Sequence, residues 1–160
     1  MKKILFSIAA ALVLPVGTVN ALPTPDLQEG LWSIHTQSVT NLGYKTDDST
    51  YSLCRNHAYD KEAESIVKNM KGCTTVSESS VGGTFFSEMH CTVGNSVITT
   101  KGTGTVSNTS SHSESHATYV PAMYGMSEVA VIQDQKYVGS CPAGMKPGDT
   151  MKSDGTMVHR

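Results

Sequence analysis

The chain has 160 residues, a formal net charge of -2 and 38% hydrophobic residues, of which few are aromatic. A mildly acidic chain is a poor partner for nucleic acid or anionic lipid, because both carry dense negative charge. The length supports a single domain with a modest core.

Residues 1–21 are predicted to be a bacterial secretory signal peptide. Lys2 and Lys3 supply a positive start, residues 4–16 form a short apolar run, and Val19-Asn20-Ala21 fits a signal-peptidase site. The run is short for a membrane span, although a retained N-terminal anchor helix is the alternative. Cleavage after Ala21 would change the net charge from -2 to -4, since two lysines and no acidic residue are lost. We therefore expect a periplasmic or secreted protein with no transmembrane segment after cleavage.

The first predicted strand spans residues 30–39, where apolar and polar residues alternate. Trp32 and Ile34 mark its buried face, and Trp32 is the single tryptophan of the chain. A polar loop is predicted over residues 41–49, followed by a short strand over residues 50–54. Trp32 is also the candidate ligand-binding residue, if its ring lines a pocket.

One helix is predicted between residues 56 and 72. Asn56 suits the N-cap, and Gly72 suits the end of the helix. Its apolar residues recur at helical spacing, which gives a stripe that either packs on the sheet of the same chain or binds a partner. The stripe consists of Tyr59, Ala63, Ile66, Val67 and Met70.

From residue 73 onward the pattern predicts strands and short turns. Strands are expected over residues 73–80, 84–92, 96–106, 111–120, 128–132 and 136–141. Their spacing indicates a mainly β (α+β) fold in residues 22–141, built as an antiparallel meander with one packed helix. The sheet is either open and curved or a small barrel, and its Ser and Thr content predicts one solvated face.

Four cysteines in an exported chain indicate disulfides rather than a thiol or zinc site. Cys73 and Cys91 flank the predicted turn at Gly82-Gly83 symmetrically, so we expect them to be bonded, which leaves Cys54 to pair with Cys141. The short loop should stabilise the fold by roughly 3 kcal/mol and the long one by about 4 kcal/mol.

Residues 142–160 lack apolar periodicity and contain several Gly and Pro residues. They are expected to form a flexible or loosely docked C-terminal tail. A near-repeat places Met145, Met151 and Met157 at regular spacing, with His159 nearby. These thioethers are candidate ligands for a soft metal such as cuprous copper.

A second candidate metal set is His112, Glu114 and His116, which would share one face of a strand. The two histidines lie two alternate positions apart, which is too far to share an ion without a bend. If the turn at Asn108-Thr109 has two residues, Lys101 pairs with His116 and its charge repels a metal. The alternative is a solvated polar strand face.

No catalytic residues are predicted. The sequence contains no Gly-x-Ser-x-Gly elbow, phosphate loop, His-Glu-x-x-His or Cys-x-x-Cys. His90 precedes Cys91, but neighbours on a strand point to opposite faces. We expect a non-enzyme without a cofactor.

Several short motifs occur in a characteristic order. They are Glu29-Gly30-Leu31-Trp32, Cys54 before the helix, Gly72-Cys73, Cys91, Tyr137-Val138-Gly139-Ser140-Cys141-Pro142 and Gly144-Met145-Lys146-Pro147-Gly148-Asp149. In this the chain resembles the bacterial Domain of Unknown Function 3617 family of small exported proteins. The resemblance covers nearly the whole mature chain, with Glu29 where the family usually has proline. It implies an envelope location and supports the cysteine framework, but it brings no known activity.

Two functions are therefore expected. The first is a binding or interaction module of the cell envelope, whose partner is a small hydrophobic ligand or an envelope protein. The second is a metal-binding or metal-buffering protein that uses the His/Glu or Met residues. A hydrolase with an unrecognised site is a third possibility.

Overall fold

The computed structural model describes residues 26–160, with residues 45–47 described by their backbone alone. The predicted signal peptide lies outside the described residues. The described chain forms one helix and nine strands: β1 Gly30–Thr40, β2 Lys45–Arg55, α1 His57–Lys68, β3 Cys73–Val81, β4 Thr84–Val93, β5 Ser96–Val106, β6 Ser110–Met123, β7 Met126–Gly139, β8 Thr150–Lys152 and β9 Met157–Val158.

All nine strands belong to one antiparallel sheet, in the order β3-β4-β5-β6-β7-β1-β2-β8-β9. Strands β3 to β7 form a continuous meander, and β1 then pairs with β7. In residues 26–160, β3 and β9 lie at opposite ends of this order and do not pair. The predicted antiparallel meander is confirmed in its open form, and the sheet is not a closed barrel.

Several strands are longer than the sequence predicts, including β6, which extends past Pro121 to Met123, and the largest differences are in β2 and β7. β2 begins at Lys45, so the predicted loop shrinks to a turn over residues 41–44. β7 runs unbroken from Met126 to Gly139, where two strands were predicted. The polar residues in its centre remain in the strand because each has cross-strand partners; Asp134, for example, lies opposite both His35 and His112.

The core is small and lies under β1 and β2. Trp32 is fully buried, and Ile34 and Leu53 are also buried. Trp32 lies directly opposite Leu53 in the register of β1 and β2, and its ring meets Tyr137 edge-on at 6.2 Å between centroids. The indole N–H donates to the carbonyl oxygen of Gln28 at 2.8 Å, so the buried ring has its hydrogen bond.

Helix α1 begins as predicted, because the Asn56 side chain accepts a hydrogen bond from the N–H of Tyr59 at 2.9 Å. The expectation that its apolar stripe packs on the sheet is wrong. No residue of α1 is buried, and Ile66 and Val67 are 54% and 53% exposed. The helix connects β2 to β3, which lie far apart in the strand order. It therefore spans the side of the sheet that carries Phe85 and Gln135, called the inner face, without packing onto it.

The two predicted disulfides are present. Cys73 and Cys91 lie opposite each other in the register of β3 and β4, so their bond closes that hairpin. Cys54 near the end of β2 is bonded to Cys141 just after β7. Since all four cysteines are bonded, no free thiol exists.

The chain after Cys141 differs from the predicted flexible or loosely docked tail, because it extends the sheet as β8 and β9. The N–H of Cys54 donates to the carbonyl oxygen of Asp149 at 3.0 Å, and the N–H of Gly148 donates to that of Cys54 at 2.8 Å. The Asp149 carboxylate is buried and accepts from the N–H of Lys146, from His159 and from the N–H of Arg160. These bonds, that of Lys146 foremost, lower the pKa of Asp149 to about 2.

Candidate functional site

A cleft of about 730 Å³ lies between α1 and the inner face of the sheet. The pairing register of the strands determines which residues line the cleft. Phe85 of β4 lies opposite Gly104 of β5, and Gly104 lies opposite Ser113 of β6. Alternate residues of these strands point to the same side, so they meet beneath the helix. The lining residues are Asp26, Leu27, Arg55, His57, Ala58, Asp60, Lys61, Glu64, Phe85, Val106, Ser111, Ser113 and Gln135.

Phe85 forms part of the floor of this cleft, where its ring lies across Gly104. A Cβ placed on Gly104 would lie only 2.5 Å from Cζ of Phe85 and 2.7 Å from its Cε1. Contacts this short do not occur between real side chains, so the ring position depends on the absence of a side chain at Gly104. The neighbouring Phe86 points to the outer face and is exposed.

Arg55 forms one wall of the cleft and connects three parts of the fold. Its Nε and Nη2 lie 2.9 Å and 2.8 Å from Oδ1 of Asp60 in α1, and its Nη1 donates to Oε1 of Gln135 in β7 at 2.9 Å. Its Cζ lies 5.1 Å from the centroid of the Trp32 ring, within cation–π range. The positive charge of Arg55 is therefore balanced by Asp60, and each of its three guanidinium nitrogens has a hydrogen-bond partner.

His57 closes one side of the cleft. Its ring nitrogens lie 2.9 Å from Asp26 Oδ1 and 3.1 Å from Glu29 Oε1, and its backbone N–H donates to Glu29 Oε1 at 3.0 Å. These contacts hold the segment before β1 against the first turn of α1. That segment places the apolar side chain of Leu27 in the cleft lining.

Trp32, the predicted candidate ligand-binding residue, does not line the cleft. Its side chain has no exposed surface, because Arg55, Leu53 and Tyr137 surround it. A ligand in the cleft would meet Arg55 instead. The structure therefore assigns Trp32 to the core, which was the other expectation for this residue.

Sequence reasoning missed Arg55, Gln135 and Phe85 as lining residues. The period-2 alternation in β4 and β6 could have placed Phe85, Ser111 and Ser113 on the inner face. Nothing local in the sequence could reveal that Arg55 reaches Gln135, since these residues are 80 positions apart.

The predicted set His112, Glu114 and His116 shares one face of β6, as expected, and this is the outer face; His112 contacts Glu114, but His116 has a separate partner. His112 lies 2.7 Å from Asp134 and 3.3 Å from Glu114, and these hydrogen bonds, that of Asp134 first, raise the pKa of His112. His116 lies 3.6 Å from Glu128 and opposite Lys101, as the two-residue turn predicted.

The structure brings a different trio into one row across three strands. His35 of β1 lies opposite Asp134 of β7, which lies opposite His112 of β6. His35 is itself bound to Asp48 at 3.2 Å. In the described part of the chain, no three His, Cys, Asp or Glu side chains are arranged to hold a metal ion.

The three methionines of the C-terminal segment do not form a common cluster on the surface. Met145 is buried, whereas Met151 and Met157 face each other as a cross-strand pair of β8 and β9. His159, the fourth member of that predicted set, is bound to Asp149 at 2.9 Å.

The described residues thus define an open antiparallel sheet, stapled by two disulfides and bridged by one helix over a cleft. The chain belongs to the family described as Protein of unknown function (DUF3617), whose profile matches residues 27–141. The match covers β1 to β7 and all four cysteines, and it confirms the resemblance noted from the motifs. Neither the curated proteins nor the solved structures contain a match to this chain. No helix within residues 26–160 has both the length and the apolar character needed to cross a membrane.

Proposed function

We propose that this protein is an exported, non-enzymatic binding module of the bacterial cell envelope, which holds a small, partly hydrophobic ligand beneath α1. The observation that supports this proposal is the cleft of about 730 Å³. Its size falls within the range of roughly 300–1,000 Å³ that is typical of small-molecule sites.

The chemistry of the lining favours a ligand with an apolar body. Leu27, Phe85 and Val106 supply apolar surface from three separate parts of the fold. The charged lining groups are largely paired within the protein, Arg55 with Asp60 among them, so a strongly charged ligand would gain little from them.

Two hydroxyl groups could orient such a ligand. Ser111 and Ser113 line the cleft from β6, and each brings a hydroxyl group to its lining. A ligand with one hydrogen-bonding group beside its apolar body would satisfy them.

The test is titration of the purified protein with the uncharged apolar fluorescent probe N-phenyl-1-naphthylamine. Phe85→Ala should weaken probe binding about tenfold, because a ring of this size contributes roughly 1.5–3 kcal/mol when buried. Phe86→Ala is the matched control, since the adjacent ring lies on the outer face, and it should leave binding unchanged. No probe binding by the folded protein, or equal losses in both variants, would overturn the proposal.

The envelope location has its own test. Two disulfides are typical of proteins in oxidising compartments, and the predicted leader fits export. Fractionation should place the protein outside the cytoplasm, with a mass that corresponds to cleavage after Ala21. A full-length protein with reduced cysteines in the cytoplasm would contradict this part of the proposal.

Metal binding is the second candidate, and the row formed by His35, Asp134 and His112 is the observation that favours it. Side-chain rotation would be needed to bring the three groups onto one ion. Titration with zinc and with cuprous copper, followed by histidine and methionine-methyl NMR signals, tests this candidate. Signals that stay unmoved at excess metal would remove it.

A further inference from the structure

One end of the sheet carries an exposed apolar surface that the cleft does not use. We call it the apolar tip and define it as Leu42, Tyr44, Val93, Val97, Val120 and Tyr124, all of them exposed. They lie in or beside the β1–β2, β4–β5 and β6–β7 turns.

Antiparallel pairing places these three turns at the same end of the sheet. Successive turns are two strands apart in the strand order, which is about 10 Å along the sheet. The Asn41 side chain accepts from the N–H of Ser127 at 3.0 Å, which joins the β1–β2 and β6–β7 turns. The buried hydroxyl of Ser96 donates to the carbonyl oxygen of Pro121 at 2.9 Å, which joins β5 to β6. The three turns are therefore joined into one end of the sheet.

The charge of this end differs from that of the chain as a whole. Residues 38–45, 91–100 and 117–127 contain no Asp or Glu, although the chain has 14 acidic residues and a net charge of -2. The acidic residue that borders this end is Glu128, whose N–H donates to the Asn41 side chain at 3.3 Å. The carbonyl oxygen of Gly72 accepts from the N–H of Thr92 at 2.7 Å, so the segment after α1 ends beside the β4–β5 turn. That segment adds exposed Met70 and Lys71 to this end. The acidic overall charge therefore does not describe the tip.

Tyr124 supplies an independent observation. It forms a two-residue turn with Gly125, and both have positive φ, 51° and 82°. A bulky residue is rare in this left-handed conformation, for which Asn or Gly is favoured in such a turn. The ring is nonetheless 93% exposed and contributes nothing to the core. A strained backbone that holds an aromatic ring in solvent indicates a recognition role for that ring.

We propose that the apolar tip docks on the surface of a lipid bilayer. Tyrosine favours the headgroup level of a bilayer, because its ring is apolar and its hydroxyl polar, while leucine and valine enter the acyl boundary. None of the six tip residues is acidic, the bordering Glu128 lies 3.6 Å from His116, and exposed Lys71 adds attraction to anionic headgroups. This proposal is independent of the cleft, which lies under α1 and shares no residue with the tip.

The first experiment is co-sedimentation with vesicles of phosphatidylethanolamine and phosphatidylglycerol. Tyr124→Asn creates an Asn-Gly turn that suits positive φ, so the variant should fold while its partitioning onto vesicles falls about tenfold. Leu42→Asn should act in the same direction. Val81→Asn is the control, because Val81 is also exposed, at 72%, but ends β3 beside the β3–β4 turn at the opposite end of the sheet. All variants keep the same N-terminal sequence, so a difference between them in vesicle partitioning arises at the substituted residue.

Tryptophan fluorescence completes the test, because it reports lipid contact at a single position. In Tyr124→Trp the new indole should shift to the blue and be quenched by brominated lipid, whereas buried Trp32 should not respond. Val81→Trp should remain unquenched. Equal quenching at both positions, or partitioning that Tyr124→Asn leaves unchanged, would overturn the proposal. A dimer that Tyr124→Asn dissociates, without vesicle binding by the parent chain, would instead show that the tip binds a second copy.

Discussion

Arg55 lies over the indole ring of Trp32, with its Cζ 5.1 Å from the ring centroid, and binds Asp60 of α1 with the same guanidinium group. Since α1 has no buried residue, this polar contact takes the place of packing between helix and sheet. The third partner, Gln135, brings β7 into the same network. One side chain thus connects the core, the helix and the cleft.

Arg55→Met should destabilise the fold by about 2 kcal/mol, because the mostly buried Asp60 carboxylate would lose its partner. Methionine preserves apolar contact with Trp32, so the change reports the polar contacts. Urea unfolding measures the loss. Arg160→Met removes a more exposed pair with Glu62 and should cost about 0–1 kcal/mol. Equal losses in the two variants would contradict this role for Arg55.

Asp149 should make the fold sensitive to acid. Its pKa is lowered from 3.8 to about 2 by the N–H of Lys146 and then by His159. A carboxyl group whose pKa is lower in the folded chain stabilises the fold above its unfolded pKa, and this contribution disappears as the pH falls through the folded value. Stability should therefore decline between about pH 4 and pH 2, and Asp149→Asn should flatten that decline.

Urea midpoints measured across this pH range provide the test of Asp149. Asp26→Asn is the control, because the side chain of Asp26 is 86% exposed and makes no contact with this carboxylate. An acid decline that persists unchanged in Asp149→Asn would assign it to other groups.

The two disulfides should differ in their effect on stability. Cys54 and Cys141 are 87 positions apart, and Cys73 and Cys91 are 18 apart. A longer closed loop restricts the unfolded chain more, so the Cys54→Ala/Cys141→Ala variant should lose about 4 kcal/mol and the Cys73→Ala/Cys91→Ala variant about 3 kcal/mol. Denaturant unfolding of both double variants measures this order, and the reverse order would contradict it.

The C-terminal segment should contribute to stability, contrary to its interpretation as a loosely docked tail. Met145→Ala should cost about 2–4 kcal/mol, because this side chain is buried. Met157→Ala in β9 is the matched control and should cost less, since its side chain is only half-buried. Thermal unfolding of the two variants provides the comparison. A Met145→Ala variant as stable as the parent would show that this segment is only loosely docked.

Local patterns sufficed for the features that depend on neighbouring residues. The Asn56 cap, the alternation around Trp32 and the symmetric spacing of Cys73 and Cys91 each involve contacts within one turn, strand or hairpin. Even the pairing of Lys101 with His116 followed from the length of one turn. The candidate site was harder to predict from the sequence, because its lining combines β2, α1 and four distant strands.

The sequence by itself determined the mainly β class, the cysteine framework, the single helix and the family, because periodicity, turn residues and spacing are encoded over short stretches. Only the tertiary structure decided that the helix bridges the sheet, that Trp32 is core while Arg55 lines the cleft, and that residues after Cys141 extend the sheet. Each of these depends on strand order, which brings residues far apart in the chain within reach of one hydrogen bond or one buried ring. Turn spacing predicted the meander of β3 to β7, but no local pattern specified that β1 pairs with β7, since the free N–H and C=O groups of an edge strand can pair with many other strands.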